Sequence, residues 1–415
     1  MTARPSAVRL RAYRVGFGDC LLLTVAYGSA LPDRRRVRHL LVDCGTAEPA
    51  PRGPSLAQVA ARIADHCDGR LDVVVATYRH RDHLGGFGDP DARAVLRPLA
   101  PRIVVRPWTD MPRRDGLDGG SREFVSLLDG ARAALAGTLP RLAFDSDRQA
   151  RQAGRLAALT QVEDEAEPLL DDWGQAGRIH YVAAGDTVDL GGELPGVTVQ
   201  VLGPPRGGEA SELLGVARGP VGSWLRLATD DQLPPLLGQP AASAWAQAAG
   251  VLADPGGVGA AQWLLRTLSA RRLTQGLDVV EAFGDLLHDA SAAVLVTVGN
   301  RTLLLPGGAR VGLDDRLADV DVYAVSRHGH RAGTARRLLG RWRRRATASH
   351  PLVSVLSTEA GVVPAVPDDD LLAELAALGP VHRTDQLPDG VWWLDLEAPA
   401  RGRDPFASTA GPVVP

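Results

Sequence analysis

Hydrophobic and polar positions along this chain alternate, run together or recur every three to four residues, and each pattern predicts a different element. Near the N-terminus "AVRLRAYRVG" alternates, as a strand with one buried face does. "DCLLLTVAYG" and "RHLLVDCGT" read as two further strands. "SLAQVAARIADHC" switches to helical spacing, with Ser55 placed to cap its first turn. "LDVVVATY" is a continuous apolar run, of the kind buried on both faces of a sheet. The strand "RIVVRPW" follows, then helices near 121–136 and 148–159, then the short strands "RIHYVAA" and "VTVQVLGPP".

Residues 206–285 have another texture. They are rich in Gly, Pro, Ala and Leu, carry Trp224, Trp245 and Trp263, and read as a mainly helical insertion. The strand pattern then resumes with "SAAVLVTVG", a turn at Asn300, "RTLLLPGG" and "ADVDVYAVSRHGH". An Arg-rich helix from about 334, the strand "PLVSVLS", a helix opened by "PDDDLLAEL" and the strand "GVWWLDL" complete the pattern. The Pro/Gly-rich tail, 399–415, reads as disordered. Two strand-rich halves flanked by helices predict a layered α/β fold, a single domain over 1–398 that carries the insertion.

Composition narrows the function. The chain has 415 residues, 45% of them hydrophobic, enough for an ample core. A formal charge of -3 gives no field that would draw nucleic acid, and no DNA-recognition motif is present. No run approaches the ~18 apolar residues of a membrane span. The opening "MTARPSAVRLRAY" enters a strand without the apolar core of a signal peptide. Cys20, Cys44 and Cys67 are too few and too irregular for a disulfide framework. The expected setting is the reducing cytoplasm. All 46 basic residues are arginine, which excludes a Walker loop and a lysine Schiff base.

The chemistry is concentrated in "VVVATYRHRDHLGGFG", residues 73–88. In an extended segment Tyr78, His80 and Asp82 share one side and His83 turns away, an arrangement able to serve two adjacent metal positions. Imidazole nitrogen and carboxylate oxygen suit zinc, and Gly85 with Gly86 lets the backbone turn tightly. The plainer alternative is loop histidines that only satisfy hydrogen bonds; their spacing around Asp82 after a buried strand argues against it.

"TYRHRDHLGG" resembles the Thr-His-x-His-x-Asp-His-x-Gly-Gly signature of the metallo-β-lactamase fold superfamily, with Tyr78 in the first histidine place. "VGFGDCLLLTV", "LLVDCGT", "VVRPWTDMP", "VQVLGPP" and "VSVLSTEAG" resemble the branch that includes the hydrolase domain of DNA-uptake competence proteins, and the likeness runs over nearly all of residues 7–397. The resemblance implies a four-layer αββα sandwich with the site at the edge shared by two sheets. It implies His80 as a first-metal ligand, Asp82 and His83 as second-metal ligands, and His328 as the late histidine. Asp43, in "VDCGT", matches a carboxylate that orients ligands, though a turn-forming aspartate before glycine is an equal reading. Gly308, in "LLLPGGA", stands where the branch carries a bridging aspartate, and Arg327, in "VSRHGHRAGT", where it carries a histidine.

A normal two-metal centre is not expected from that set. Two readings stay open. In one, Asp82, His83 and His328, with or without His80, hold a single ion: zinc, or else manganese or iron. The protein then hydrolyses a phosphodiester or related anionic ester, a small or nucleotide-like substrate, with Asp82 and Tyr78 at the reacting centre and Tyr78 donating a proton or hydrogen bond to a substrate oxygen. In the other, no metal is held and an anionic ligand or partner is bound without catalysis. Arg79, Arg81 and Arg327 crowd the expected mouth of the site and are the expected substrate contacts, since a guanidinium fork pairs well with phosphate. The arginine run 336–345 reads as a solvated helix face.

Overall fold

The computed structural model describes residues 3–111, 163–206, 288–312, 314–347, 349–402 and 404–413. The helices expected near 121–136 and 148–159 lie outside these residues, as does all but the edge of the insertion expected at 206–285. The chain divides into two compact units: Met1–Met111 with Gln161–Pro204 and Ala290–Pro415, and Pro112–Thr160 with Pro205–Asp289. Every element below belongs to the first.

Strands β1 (Pro5–Tyr13), β2 (Leu21–Tyr27) and β3 (Val37–Val42) form an antiparallel meander. Helix α1 (Leu56–His66) then carries the chain back to β4 (Val73–Val75), which pairs parallel to β3. Ser55 caps α1 as expected: its side chain accepts from the Gln58 N–H while the Gln58 side chain accepts from the Ser55 N–H. Strands β5 (Ile103–Pro107) and β6 (Arg178–Val182) extend the parallel side, and β13 (Trp393–Pro399) and β14 (Ala407–Ala410) extend the other. The result is an eight-stranded sheet ordered β14-β13-β1-β2-β3-β4-β5-β6. The second sheet, ordered β12-β11-β10-β9-β8-β7, is built from β7 (Val197–Val201), β8 (Val294–Val298), β9 (Arg301–Leu305), β10 (Val322–Ala324), β11 (Val353–Leu356) and β12 (Val381–Arg383).

The period-two alternation of side chains explains the layers. Val8, Leu10, Leu23, Leu40, Val73, Val75, Ile103 and Val105 of the first sheet share one core with Val199, Val294, Val296, Leu303, Val322 and Val353 of the second. The intervening residues Leu22, Leu41, Val74 and Val104 face the other way and bury α1 together with α2 (Arg81–Gly88), α3 (Pro90–Leu96) and α4 (Glu167–Ala176). On the far side Leu295, Leu304, Tyr323 and Leu356 pack against α5 (Arg336–Arg345), through Leu338, Leu339 and Trp342, and α6 (Asp369–Ala376), through Leu371 and Leu375. The fold is therefore the four-layer αββα sandwich. Register in the first sheet is reinforced where the polar positions of β1 meet opposite charge: Arg9 faces Glu397 and Arg11 faces Asp395 on β13.

Three local expectations change. The segment after His80 is not extended; α2 begins at Arg81, so Asp82 and His83 lie in a first helical turn. Gly85 and Gly86 lie within that helix rather than in a turn, and Gly86 serves close packing, since its Cβ would stand 2.6 Å from Cys44 Sγ and 2.7 Å from the Cys44 carbonyl oxygen. The tail is also more ordered than its composition suggests, because residues 407–410 pair with β13 as an edge strand. Among the described residues no helix is long and apolar enough to cross a membrane.

Candidate metal centre

Four chain segments meet where strands of both sheets end, β3 and β4 from one and β9 and β10 from the other. Asp43 leaves β3, Thr77 to His83 follow β4, Gly307 and Gly308 follow β9, and Arg327 with His328 follow β10. The loop between β1 and β2 joins them through Asp19, whose N–H donates to the Asp82 carbonyl at 2.9 Å and whose carbonyl accepts from Gly45 at 3.0 Å. Asp43, Arg327 and His328 all adopt left-handed backbone, at φ of 56°, 54° and 53°. Such conformations cost non-glycine residues about 1–3 kcal/mol each and persist where surrounding structure enforces them, often at functional sites. Here the strain aims three polar side chains into one buried space.

The ring nitrogens are arranged alike on both histidines. His83 Nδ1 lies 2.7 Å from Asp43 Oδ2, and His328 Nδ1 lies 2.9 Å from the Ser357 carbonyl oxygen. Asp43 is itself fixed by accepting from the Thr77 N–H at 2.8 Å and the Thr77 hydroxyl at 2.6 Å. With Nδ1 occupied, each Nε2 turns toward Asp82 Oδ2, at 3.4 Å from His83 and 3.0 Å from His328. A carboxylate oxygen of Asp19 and ring nitrogens of His83 and His328 also lie within 4.8 Å of one another.

This donor set fits a metal ion. Donors held about 2.0–2.1 Å from a tetrahedral zinc stand about 3.3–3.4 Å apart; the two Nε2 atoms lie 3.4 and 3.0 Å from Asp82 Oδ2, and the Asp19, His83 and His328 donors form a looser set within 4.8 Å. Asp82 Oδ1 and His83 Nε2 are buried with no hydrogen-bond partner among the described residues, as open coordinating atoms would be. Each imidazole has its other nitrogen held by an oxygen, the support that fixes tautomer and ring orientation at histidine metal sites.

Electrostatics explains how the site persists as a cluster of charges. Burial alone would drive His83 to its neutral form, but the carboxylates of Asp82 and Asp43 outweigh it and raise its pKa well above the usual value. His328 is likewise raised against burial, by its hydrogen bond to Asp82 and the charges of Asp19 and Asp82. Burial opposes the Asp82 charge, yet His83 and His328 hold its carboxyl well below the usual range. The Tyr78 hydroxyl is pushed well up by burial and by the Asp82 charge, so it stays a neutral phenol.

The structure thus brings Asp82, His83, His328 and Asp43 together. His80 is buried beside them but outside the Asp19–His83–His328 group, and its ring centroid lies 4.4 Å from that of Tyr78. The Tyr78 ring lies equally close to that of His83, at 4.4 Å and tilted by 48°. The three arginines divide. Arg327 is buried and its Nε donates to the Gly308 carbonyl at 2.9 Å. Arg81 is exposed, with Glu163 at 3.9 Å. Arg79 pairs with Asp164 at 2.8 Å and Glu167 at 3.0 Å, and Glu167 also holds the fully buried Arg106. Arg79 thereby ties the motif to α4, a structural task the sequence did not suggest. Asp19 was not foreseen. Its signal is the aspartate at the strand-to-strand turn in "GFGDC", which local pattern alone reads as a turn residue.

No protein-family model matches the sequence, and no curated protein does. Among solved structures, the metallo-beta-lactamase fold protein YhfI from Bacillus subtilis aligns at 11% identity over 94% of this chain and 100% of that one, with a TM-score of 0.35. Igni18, a metallo hydrolase from the archaeon Ignicoccus hospitalis, aligns at 9% identity over 97% of this chain and 99% of its own, with a TM-score of 0.37. At such identities and scores neither likeness carries an argument about this chain; the fold rests on the strand order and layers above.

Proposed function

We propose that Asp19, Asp82, His83 and His328 hold one divalent metal ion, and that the protein is a hydrolase of the metallo-β-lactamase type acting on a phosphodiester or related anionic ester. The observation that carries this reading is the convergence of both Nε2 atoms on Asp82 while Asp43 and the Ser357 carbonyl hold both Nδ1 atoms. Nitrogen and oxygen donors in this mixture suit zinc, and manganese or iron as well. When bound, such an ion supplies Lewis acidity and lowers the pKa of water at the site.

The chain's own residues set the rest. Asp43 orients His83, and the Ser357 carbonyl orients His328. Asp19 and Asp82 supply negative charge to balance a cation. The neutral Tyr78 hydroxyl is able to donate a hydrogen bond or proton to a substrate oxygen, and Arg327 brings positive charge to the same wall, where an anionic ester gains most from it.

A second reading, a catalytically silent protein that binds an anionic ligand, draws support from one observation. With both imidazoles protonated, the neighbouring carboxylates of Asp82, Asp43 and Asp19 more than offset their charge, and the two histidines are stabilised without a cation. Hydrolysis of bis(4-nitrophenyl) phosphate separates the two. The hydrolase reading expects turnover in protein dialysed against zinc or manganese chloride, loss on chelation, return on adding the ion back, and no turnover in Asp82→Ala. Protein that stays folded and inert under every metal tested, against this and a panel of other anionic esters, contradicts it.

A further inference from the structure

Tyr78 and Gly308 fit together as ring against bare backbone. A Cβ built on Gly308 would meet Cε1, Cζ and the hydroxyl oxygen of Tyr78, each at 2.7 Å. Real side chains essentially never approach so closely. The conformation at Gly308 does not demand glycine: unlike Gly307, at φ 55°, it is not left-handed. The three nearest obstacles all belong to the phenol.

Neither partner is placed to yield. The Gly308 N–H donates to Ser291 Oγ at 3.2 Å and its carbonyl accepts from Arg327 Nε at 2.9 Å, so the backbone is held on both sides. Tyr78 is buried, with the rings of His80 and His83 each 4.4 Å from its own. His83 is anchored in turn by Asp43. The ring therefore packs on His80 and His83 at once, and a side chain at 308 would claim part of its volume.

We infer that the Tyr78 ring also fills the His80 side of the centre, that the bare backbone of Gly308 is what admits it, and that this pair limits the site to one cation. The inference rests on the single-metal reading above. His80 offers an imidazole against the phenol ring, and a carboxylate at 308 would claim volume that the phenol now fills. Removing the phenol and supplying that carboxylate gives a second ion both space and donors, while either change alone gives only one of the two.

Two measurements on purified protein test this. In a thermal-melting cycle, Gly308→Ala lowers Tm by several degrees in the wild-type background and by clearly less in the Tyr78→His background, where the shorter ring leaves room for a methyl group. Equal losses in both backgrounds overturn the steric pairing. Elemental analysis after loading with zinc chloride and desalting gives the second readout: Tyr78→His/Gly308→Asp carries one zinc more per chain than wild type, and neither single variant does. Two ions in the wild type, or no gain in the double variant, overturn the inference. A wild type with no zinc sinks the single-metal reading alone, because the melting cycle and the gain of an ion still decide whether Tyr78 closes that side.

Discussion

His328 Nε2 lies 3.0 Å from Asp82 Oδ2, although 246 positions separate the two residues in sequence. One enters from the helix that follows β4 in the first sheet, the other from the left-handed turn that follows β10 in the second. A contact of this kind across the shared edge of two sheets orders the site only if each side chain is fixed from behind. Asp43 does this for His83, and the Ser357 carbonyl does it for His328.

The first prediction follows from that support. Asp43→Asn keeps the size of the side chain but puts an amide where Thr77 and His83 now find a carboxylate. Losing such a partner typically weakens metal affinity about 10–100-fold. Competition with a chromophoric chelator should show a loss of that size for zinc in Asp43→Asn. An unchanged affinity would mean that Asp43 is only a turn residue.

Arginines of the motif should separate by role. Arg79→Ala removes pairs with Asp164 and Glu167, the first largely exposed, and should cost no more than about 1 kcal/mol while leaving zinc affinity unchanged. Glu167→Ala should cost more, because it also strips the fully buried Arg106 of its bidentate partner. Denaturant unfolding of both variants, with metal titration alongside, checks the order.

Arg327→Ala should instead act on substrate. A charge-assisted hydrogen bond to an anion is worth about 1.5–3 kcal/mol, so kcat/KM for an anionic ester should fall about 10–100-fold. A neutral ester should lose much less. Equal losses on both substrates would assign Arg327 to structure, through its bond to the Gly308 carbonyl.

Stability should also respond to pH away from the site. Burial, helped by the charges of Arg35, Arg11 and Arg38, pushes the His39 imidazole down to about 4, and its Nδ1 lies 3.1 Å from the Thr24 hydroxyl. The unfolded chain takes up that proton near pH 6.5, so between about pH 6.5 and 4 the unfolded state binds more protons than the folded one. The contribution is complete above that window, shrinks as pH falls through it and is gone below about 4. Urea unfolding from pH 7 to 4 should show a steeper loss for wild type than for His39→Gln. Parallel curves would contradict the assignment.

Much of the architecture is legible in the sequence, and the residues show why. Alternation in "AVRLRAYRVG" and the apolar run "LDVVVATY" report local burial, which strand geometry converts directly into sheet faces. Ser55 reports a helix start through a local hydrogen bond. Short pieces are harder: β12 spans three half-buried residues, Val381–Arg383, and β14 is fully exposed, so neither carries a hydrophobic period. The helical start at Arg81 was hidden by three glycines, of which Gly86 serves close packing against Cys44. At the site, Asp82 and His83 stand out because they are adjacent, and His328 by its place in a resembling motif. Asp19 and the Tyr78–Gly308 fit depend on contacts between segments far apart in the chain, to which local pattern is blind.

On this reading, these scattered side chains hold one metal ion. Elemental analysis of wild-type protein, loaded with zinc chloride and desalted, tests it most directly, with Asp82→Ala and His328→Ala prepared in parallel. Close to one zinc per wild-type chain and little in either variant is the expected outcome. Folded wild type carrying no zinc, manganese or iron after loading, or an equal metal content in all three proteins, would contradict it.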